Sequence, residues 1–564
     1  MSKIVLQTTK ELKNIIIDAT KKAFEQNLLT KSEIPDFRIE VPEDHSHGDF
    51  AANIAMVSAR VFRAAPIKIA ESIASCLDLS GSTFERFEIA GPGFLNFFLK
   101  DSFYPTILKD IETLGSNYGR SDFGQAERIM VEFVSANPTG PMHMGNARGG
   151  ALGDCLASVL DAAGYCVSRE FYINDAGNQI EKFGLSLSIR YQQIYKGENA
   201  IPLPEDSYHG EDIKELAELF SQQYGDSYLE KEESVRRKAL VEFSLPKNIE
   251  KMQQDMKKYR IEYDEWFHES VLHEDGEVEQ TIQILKDKGL TYELDGATWY
   301  KATEFGAEKD EVLIRKNGTP TYFAADIAYH RNKFLVRGFD RCIDVWGADH
   351  HGHVSRMKGA MDAVGLDGSK LDVVLMQLVK LVRDGELVRM SKRTGKAIQL
   401  SDLLDEVPVD AARFLFNMRE PTSQMEFDLD LAVKQDAQNP VYYVQYAHAR
   451  ICSILKTLKK DGITPRECSC EELLLLKSSE ELELIRHLAS YTGEIISAAK
   501  DYDPARITRY VITLATLFHK FYNACRVKGE EETLMQARIH LCLAVKTVIH
   551  NVLTMFRITA PESM

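Results

Sequence analysis

The sequence predicts a multidomain α/β protein, with a parallel-sheet domain between an N-terminal α+β module and a C-terminal all-α bundle. Three observations predict it. Beginning at residue 128, a strand-like apolar run, a Gly/Pro-rich loop, a helical stretch and a second strand-like run follow within about 45 residues, the order of a βαβ unit. From Asn439 onward apolar residues recur at helical spacing almost throughout. The length, 564 residues, is too great for a single hydrophobic core.

The elements follow in order. The N-terminus, "MSKIVLQTTKELKNIIIDATKKAF", is amphipathic and Lys-rich and lacks the apolar centre and cleavage site of a signal peptide, so it reads as a helix. "AANIAMVSARVFRAAPIKIAESIASCL" has helical spacing interrupted at Pro66, and "FERFEIAGPGFLNFFL" reads as two strands around a Gly91-Pro92-Gly93 turn. A linker-like "GSNYGRSDFGQ" follows, and the module is placed at 1–117. Arg128–Val134 is a buried strand except for Glu132. Leu152, Leu156, Val159 and Ala163 mark the helix after the loop, and Gly164 its stop. "YCVSREFYI" is the second strand. Residues from about 185 to 300 are polar and helical and read as an insertion, and a second βαβ half is expected at about 310–385. The central domain is placed at 118–438 and the helical bundle at 439–564.

Composition bounds the class. With 44% hydrophobic and 27% charged residues the chain reads as a soluble globular protein. No apolar run approaches about 18 residues, so a membrane span is not expected and a cytoplasmic location is. The nine cysteines are mostly isolated. Only Cys468 and Cys470 lie close together, without a second Cys/His pair at zinc-finger spacing, so no structural metal is expected. The net charge of −17 does not exclude a nucleic-acid partner, because binding depends on a local basic face. Residues 440–564 carry 16 Lys/Arg against 14 Asp/Glu, so this tail is slightly basic on an acidic chain.

Two short motifs carry chemistry. His143-Met144-Gly145-Asn146 falls at the mouth of the helix after the first strand, where free backbone N–H groups and the helix dipole favour phosphate. Gly140, Gly145 and Gly149 permit close approach, while Pro138 and Pro141 stiffen the loop. The spacing is neither G-x-G-x-x-G nor a Walker A. Some 240 residues later, Arg389-Met390-Ser391-Lys392-Arg393-Thr394-Gly395-Lys396 places four cations in eight residues with a Gly, as a loop neutralising a triphosphate would need. Taken alone, the first is also a plain βα turn and the second a basic surface turn.

Taken together, they resemble the paired signatures of class I aminoacyl-tRNA synthetases, written HIGH and KMSK. "SANPTGPMHMGNARGGALGDCLASVLDAAGY", "REFYINDAGNQI", "YFAADIAYHRNKF", "DVWGADHHGHVSRMKGA" and "NPVYYVQYAHARICSIL" narrow the resemblance to the arginyl-tRNA synthetase family over essentially the whole chain. The resemblance implies a Rossmann-like catalytic domain between two tRNA-binding modules, the first touching the tRNA D-loop and the last the anticodon. It implies ligation of L-arginine to its tRNA through an arginyl-adenylate. ATP is consumed with Mg2+ bound to its phosphates, the tRNA 2′-OH attacks, and activation depends on bound tRNA. A monomer is expected.

The resemblance also implies roles. His143, Gly145 and Asn146, with Met390, Ser391, Lys392 and Lys396, would hold ATP, and His143, Asn146 and Lys392 would act on the reacting phosphates. Two positions depart from the motifs. Asn146 replaces the last His of HIGH and keeps a donor, and Arg389 replaces the first Lys of KMSK and keeps the charge. Arginine needs buried carboxylates for its guanidinium, because a desolvated cation left unpaired is costly. Glu132, Ser135, Asn137, Tyr322, Asp326 and His350 are the candidates. Asp349, His350 and His353 in "GADHHGH" look like a metal cluster, but the resemblance places this segment beside arginine or adenosine. In the helical tail, Tyr442, Tyr443, Tyr446 and Arg450 offer stacking and phosphate contacts to tRNA. Without the resemblance, the alternatives are another class I synthetase, a catalytically inert RNA-binding paralogue, or a small-molecule nucleotidyltransferase. A cysteine-specific enzyme would need a thiol pocket that no Cys/His set flanking the loop supplies, and a nucleotidyltransferase would not need the helical tail.

Overall fold

The computed structural model describes residues 4–42, 45–388 and 398–564. The N-terminal module packs the helices Ile4–Glu25, Ile54–Phe62, Pro66–Ala74 and Phe103–Leu114 against a four-stranded antiparallel sheet. Its longest pair, the edge strand Phe84–Ala90 and its neighbour Phe94–Leu99, is the expected hairpin. Pro66 starts a helix at its first turn, where the missing N–H costs nothing, which accounts for the interruption in the pattern. Phe84 and Phe97 meet edge to face at 5.8 Å in the core.

The stretch after this module is not a free linker. Tyr118 is buried and its hydroxyl donates to the Leu488 carbonyl at 2.9 Å, while Asn551 Nδ2 donates to the Gly115 carbonyl at 2.9 Å. A Cβ on Gly119 would meet the Tyr491 ring at 2.3 Å. The segment is therefore pinned to the C-terminal helices, which also grip the N-terminal module through Arg486 and Asp49 at 2.9 Å.

The central domain holds a five-stranded parallel sheet in the order Leu371–Met376, Arg341–Gly347, Arg128–Glu132, Cys166–Ile173, Glu265–His268. The chain enters at the central strand, builds outward on one side and later returns to build the other. The carboxyl end of Arg128–Glu132 is therefore a topological switch point, where open α/β sheets bind ligands.

Two expectations are corrected. The insertion at 185–300 is not wholly helical: the helices Gly177–Lys196, Glu211–Tyr224 and Glu233–Lys258 are followed by Glu265–His268, an edge strand of the main sheet. The second half at 310–385 begins late, because Glu311–Ile314 belongs to a separate antiparallel sheet with Ala297–Tyr300 and Thr291–Leu294.

From Pro440 the chain forms the helices Pro440–Lys460, Ser479–Asp501, Ala505–Ala524 and Glu532–Met555, with a short turn at Cys470–Leu473. Arg413, wholly buried, ties this bundle to the sheet domain. It pairs with Asp154 and donates to the carbonyls of Phe556 at 2.7 Å and Tyr259 at 3.0 Å. Among the described residues no helix is long and apolar enough to cross a membrane.

Candidate functional site

The strand Arg128–Glu132 ends in an unusual turn. Val134 (φ +74°) and Ser135 (φ +44°) are both left-handed, a conformation that costs a β-branched residue most. Such strain persists only where the surroundings hold it. Here Ser135 Oγ donates to Glu132 Oε1 at 2.8 Å and accepts the Tyr172 N–H at 3.2 Å, and Asn248 Nδ2 donates to the Pro138 carbonyl at 2.9 Å. Asn137, at the crest, is exposed.

The loop then enters the helix Gly145–Ala162. The Gly145 N–H points at His143 Nδ1 at 3.2 Å, which makes Nδ1 the acceptor and leaves Nε2 as the N–H donor on an exposed ring. Asn146 Oδ1 accepts the His143 N–H at 3.0 Å, so its amide NH2 remains to donate outward. Asparagine thus serves the loop in a way that the histidine of the usual signature would do differently.

Arg389, Met390, Ser391, Lys392, Arg393 and Lys396 lie outside the described residues, but the chain on both sides of them is placed. The hairpin Val379–Arg383/Glu386–Leu387 leads into them. The chain that follows pairs with the signature loop: the Met144 N–H donates to the Ile398 carbonyl and the Leu400 N–H to the Met142 carbonyl, each at 3.0 Å, around a His143–Gln399 bridge. The chain that follows the second motif is thereby a neighbour in space of the first motif, some 250 residues before it in sequence.

Arg148, which sequence reasoning missed, fixes their registry. It is buried, and no carboxylate pairs with it among the described residues. It donates to the carbonyls of Gln377 (2.8 Å), Ser423 (3.0 Å) and Glu420 (2.9 Å). These carbonyls flank the two strands that carry the hairpin, Val379–Arg383 and Met425–Asp428. Burial pushes the guanidinium down to about 10, still charged at neutral pH. Nothing in "GNARGG" itself marks it as a buried tie, since its three partners lie more than 200 residues away.

On the opposite face of the sheet lies a cluster of polar side chains. The helix Tyr322–Arg331 is capped by Thr321, whose hydroxyl accepts the Ala324 N–H. It presents Tyr322, whose hydroxyl accepts the Gln179 N–H at 3.3 Å, and Asp326, whose carboxylate is partly exposed and 3.4 Å from His353 Nε2. The His353 ring packs on Trp346 at 5.3 Å. Tyr172 is buried beside this cluster, its hydroxyl donating to Glu269 at 2.9 Å: burial, then the Glu269 and Asp326 carboxylates, hold that hydroxyl well above the usual range. Tyr172 lies within the quoted "REFYINDAGNQI" without being singled out, and His353 stands out only as part of the apparent cluster in "GADHHGH". His350 sits at the rim, more than half exposed, with its ring 6.2 Å from Trp346. Among the described residues no group of His, Cys, Asp or Glu is placed to hold a metal ion.

Glu132 differs from the expectation of a free guanidinium partner. It is buried and both oxygens are engaged internally, Oε1 by Ser135 and Oε2 by Lys333 Nζ at 2.7 Å. The structure ties Ser135 to Glu132 and to the Tyr172 backbone, and sets Asp326 beside His353 and near Tyr172; Asn137 is exposed on the loop two residues after Ser135.

In the helical bundle, Tyr446 and Arg450 line an open cavity of about 700 Å³ with Tyr522, Lys456 and Arg526. The Arg450 guanidinium lies 4.3 Å over Tyr522. Tyr443 instead packs inward on His519 at 5.1 Å, with its hydroxyl 3.4 Å from Thr516, and Tyr442 lines a separate cavity of about 340 Å³.

Comparison with known proteins gives three family matches in chain order. They are the arginyl tRNA synthetase N terminal domain over residues 10–99, the class I (R) tRNA synthetase catalytic domain over 110–453, and the DALR anticodon binding domain over 444–564. The chain is 58% identical to an arginine–tRNA ligase of Caldanaerobacter subterraneus subsp. tengcongensis and 54% identical to one of Acetivibrio thermocellus, in both cases over the full length of both chains. The fold is similar to that of the Thermus thermophilus arginyl-tRNA synthetase, with a TM-score of 0.75 at 21% identity, covering 99% of this chain and all of that one.

Proposed function

Because the chain belongs to the arginyl-tRNA synthetase family, we infer that the carboxyl edge of its parallel sheet is where arginine, ATP and the tRNA end are brought together. The protein is a ligase that joins L-arginine to tRNA at the expense of ATP. In the first step the arginine carboxylate attacks the α-phosphorus of ATP, pyrophosphate leaves and arginyl-adenylate forms. In the second, a terminal ribose hydroxyl of tRNA, the 2′-OH in this reading, attacks the activated carbonyl and AMP leaves.

The first barrier is one of charge and alignment, so placed donors and cations do most of the work. His143 Nε2 and the Asn146 amide supply donors beside the start of an 18-residue helix whose dipole favours phosphate. Lys392 balances the charge on the departing pyrophosphate, with Gly145, Met390, Ser391 and Lys396 completing the ATP site. Magnesium arrives on the ATP phosphates as part of that substrate. Asn137 and Ser135 meet the α-amino and carboxylate groups of arginine. Asp326 takes the guanidinium, Tyr322 borders it, and His350 stands at the mouth. Tyr446 and Arg450 are the tRNA contacts the cavity favours, with Tyr442 in a separate cavity nearby in sequence and Tyr443 as support. The division is 1–117 for the D-loop, 118–438 for catalysis and 439–564 for the anticodon, in a cytoplasmic monomer.

The observation that carries this reading is the pairing of Ile398–Leu400, the chain just after the second motif, with Met142–Met144 of the first. Pyrophosphate exchange with arginine, with and without tRNA, tests it: exchange is expected only with tRNA present, and robust exchange without tRNA would refute the coupling. Lys392→Ala should slow adenylation by about 100-fold or more, the scale of losing one transition-state donor. A change confined to arginine affinity would remove the role given to Lys392.

A further inference from the structure

A row of buried acids crosses the sheet beneath the amino-acid pocket. Asp344, Glu132 and Glu170 stand in register on three adjacent strands, and all three are buried. Like charges side by side in a core repel one another and forfeit their hydration. The chain answers with two cations from one short turn. After Tyr322–Arg331 the helix widens into a π turn, Asn332–Val336, a departure often found at functional sites. There Lys333 turns inward and is wholly buried, while Leu335 and Val336 are left exposed.

Lys333 Nζ lies 2.7 Å from Glu132 Oε2 and 2.9 Å from Asp344 Oδ1, over the Tyr329 ring at 4.3 Å. Arg337 closes on Glu170 with both terminal nitrogens, and the Tyr329 hydroxyl donates to the same carboxylate. His330 Nε2 gives Asp344 a second partner at 3.0 Å. Among the described residues, Glu132 has Lys333 as its one cation. Titration follows this division: against burial, Lys333 and His330 hold Asp344 down at about 2, whereas burial outweighs Lys333 at Glu132 and pushes its carboxyl up.

The other oxygen of Glu132 accepts Ser135 Oγ, and Ser135 Oγ accepts the Tyr172 N–H. A continuous chain therefore runs from the π turn to the left-handed Val134–Ser135 turn, with Asn137 two residues beyond. We propose that Lys333 is a positioning residue of the amino-acid site: its ammonium holds the Glu132 carboxylate so that it clamps Ser135, and the clamp keeps Asn137 aimed at the substrate. Glu132 then serves arginine through Ser135. This inference rests on the arginine reading above.

The test is arginine-dependent pyrophosphate exchange in the presence of tRNA, comparing wild type, Lys333→Met, Glu132→Gln and the double variant. Breaking a buried pair from one side is costly, so Lys333→Met should raise the KM for arginine about ten-fold or more while the KM for ATP stays within about two-fold. In the Glu132→Gln background Lys333→Met should add little, because the neutral amide keeps a carbonyl oxygen for Ser135 and needs no counter-ion. An unchanged arginine KM, an equal rise in both constants, or effects that simply multiply in the double variant would overturn the proposal. Should Lys333→Met not fold, Lys333→Gln, which keeps a donor in the row, carries the same comparison. A wild-type protein inert with arginine would overturn the functional reading itself, whereas an active wild type with an indifferent Lys333→Met overturns this inference alone.

Discussion

Replacing Arg148 with lysine keeps the charge and removes the fork. The guanidinium reaches the Gln377 and Ser423 carbonyls through one terminal nitrogen and the Glu420 carbonyl through the other. A single ammonium cannot span both sets, so at least one buried carbonyl loses its donor. Each such orphan costs about 1–3 kcal/mol, and the remaining contacts weaken as the planar fork is lost, giving about 2–4 kcal/mol in all. The loss should also be felt in function, because those carbonyls carry the hairpin that leads to Lys392. Denaturant unfolding followed by circular dichroism measures the first effect, and titration of ATP against arginine in pyrophosphate exchange measures the second. Arg148→Lys should raise the KM for ATP about ten-fold, equivalent to roughly 1.4 kcal/mol of lost registry, and change the KM for arginine less. A variant within about 0.5 kcal/mol of wild type and with an unchanged ATP KM would refute the clamp, since changes of that size are ordinary for surface substitutions.

Arg413→Met leaves Asp154 buried with, among the described residues, Arg169 (2.8 Å) and Arg557 (3.5 Å) as its cations, and frees the Phe556 and Tyr259 carbonyls. Unfolding free energy should fall by about 3–5 kcal/mol, read by chemical denaturation, with the ratio of arginine KM to ATP KM unaltered. In the helical bundle, burial holds the His487 ring, stacked on Tyr510 at 4.3 Å, down to about 4 from its ordinary 6.5. The unfolded chain therefore takes up a proton below about 6.5 that the folded chain refuses until about 4. Stability should fall as pH drops from 6.5 toward 4, and His487→Asn should flatten the slope of melting temperature between pH 7 and 5.

Much of this architecture was legible because period and punctuation agree locally. The run Arg128–Glu132, the helix to Ala162 and the strand Cys166–Ile173 are each bounded by Gly or Pro. What was not legible depends on partners far away in sequence. Glu265–His268 is four residues long and lies in polar surroundings, so only its pairing with Glu170–Ile173 makes it a strand. Tyr118 turns an apparent linker into a docked segment through a helix 370 residues away. Nothing in "HRNKFLV" marks Lys333 as a buried cation, because regular helical spacing cannot foresee a π turn. Glu132 stands out in the sequence as an acid in an apolar strand, and in the structure its cation is Lys333 of the same chain.

The most direct test of the central claim is a crystal structure with a non-hydrolysable arginyl-adenylate analogue bound. The account predicts the guanidinium against Asp326, the α-amino group at Asn137 and the phosphate beside His143 Nε2 and the Asn146 amide, with the Glu132–Lys333 pair intact. A guanidinium seated on Glu132 with Lys333 displaced, or a phosphate away from the start of the helix Gly145–Ala162, would contradict it.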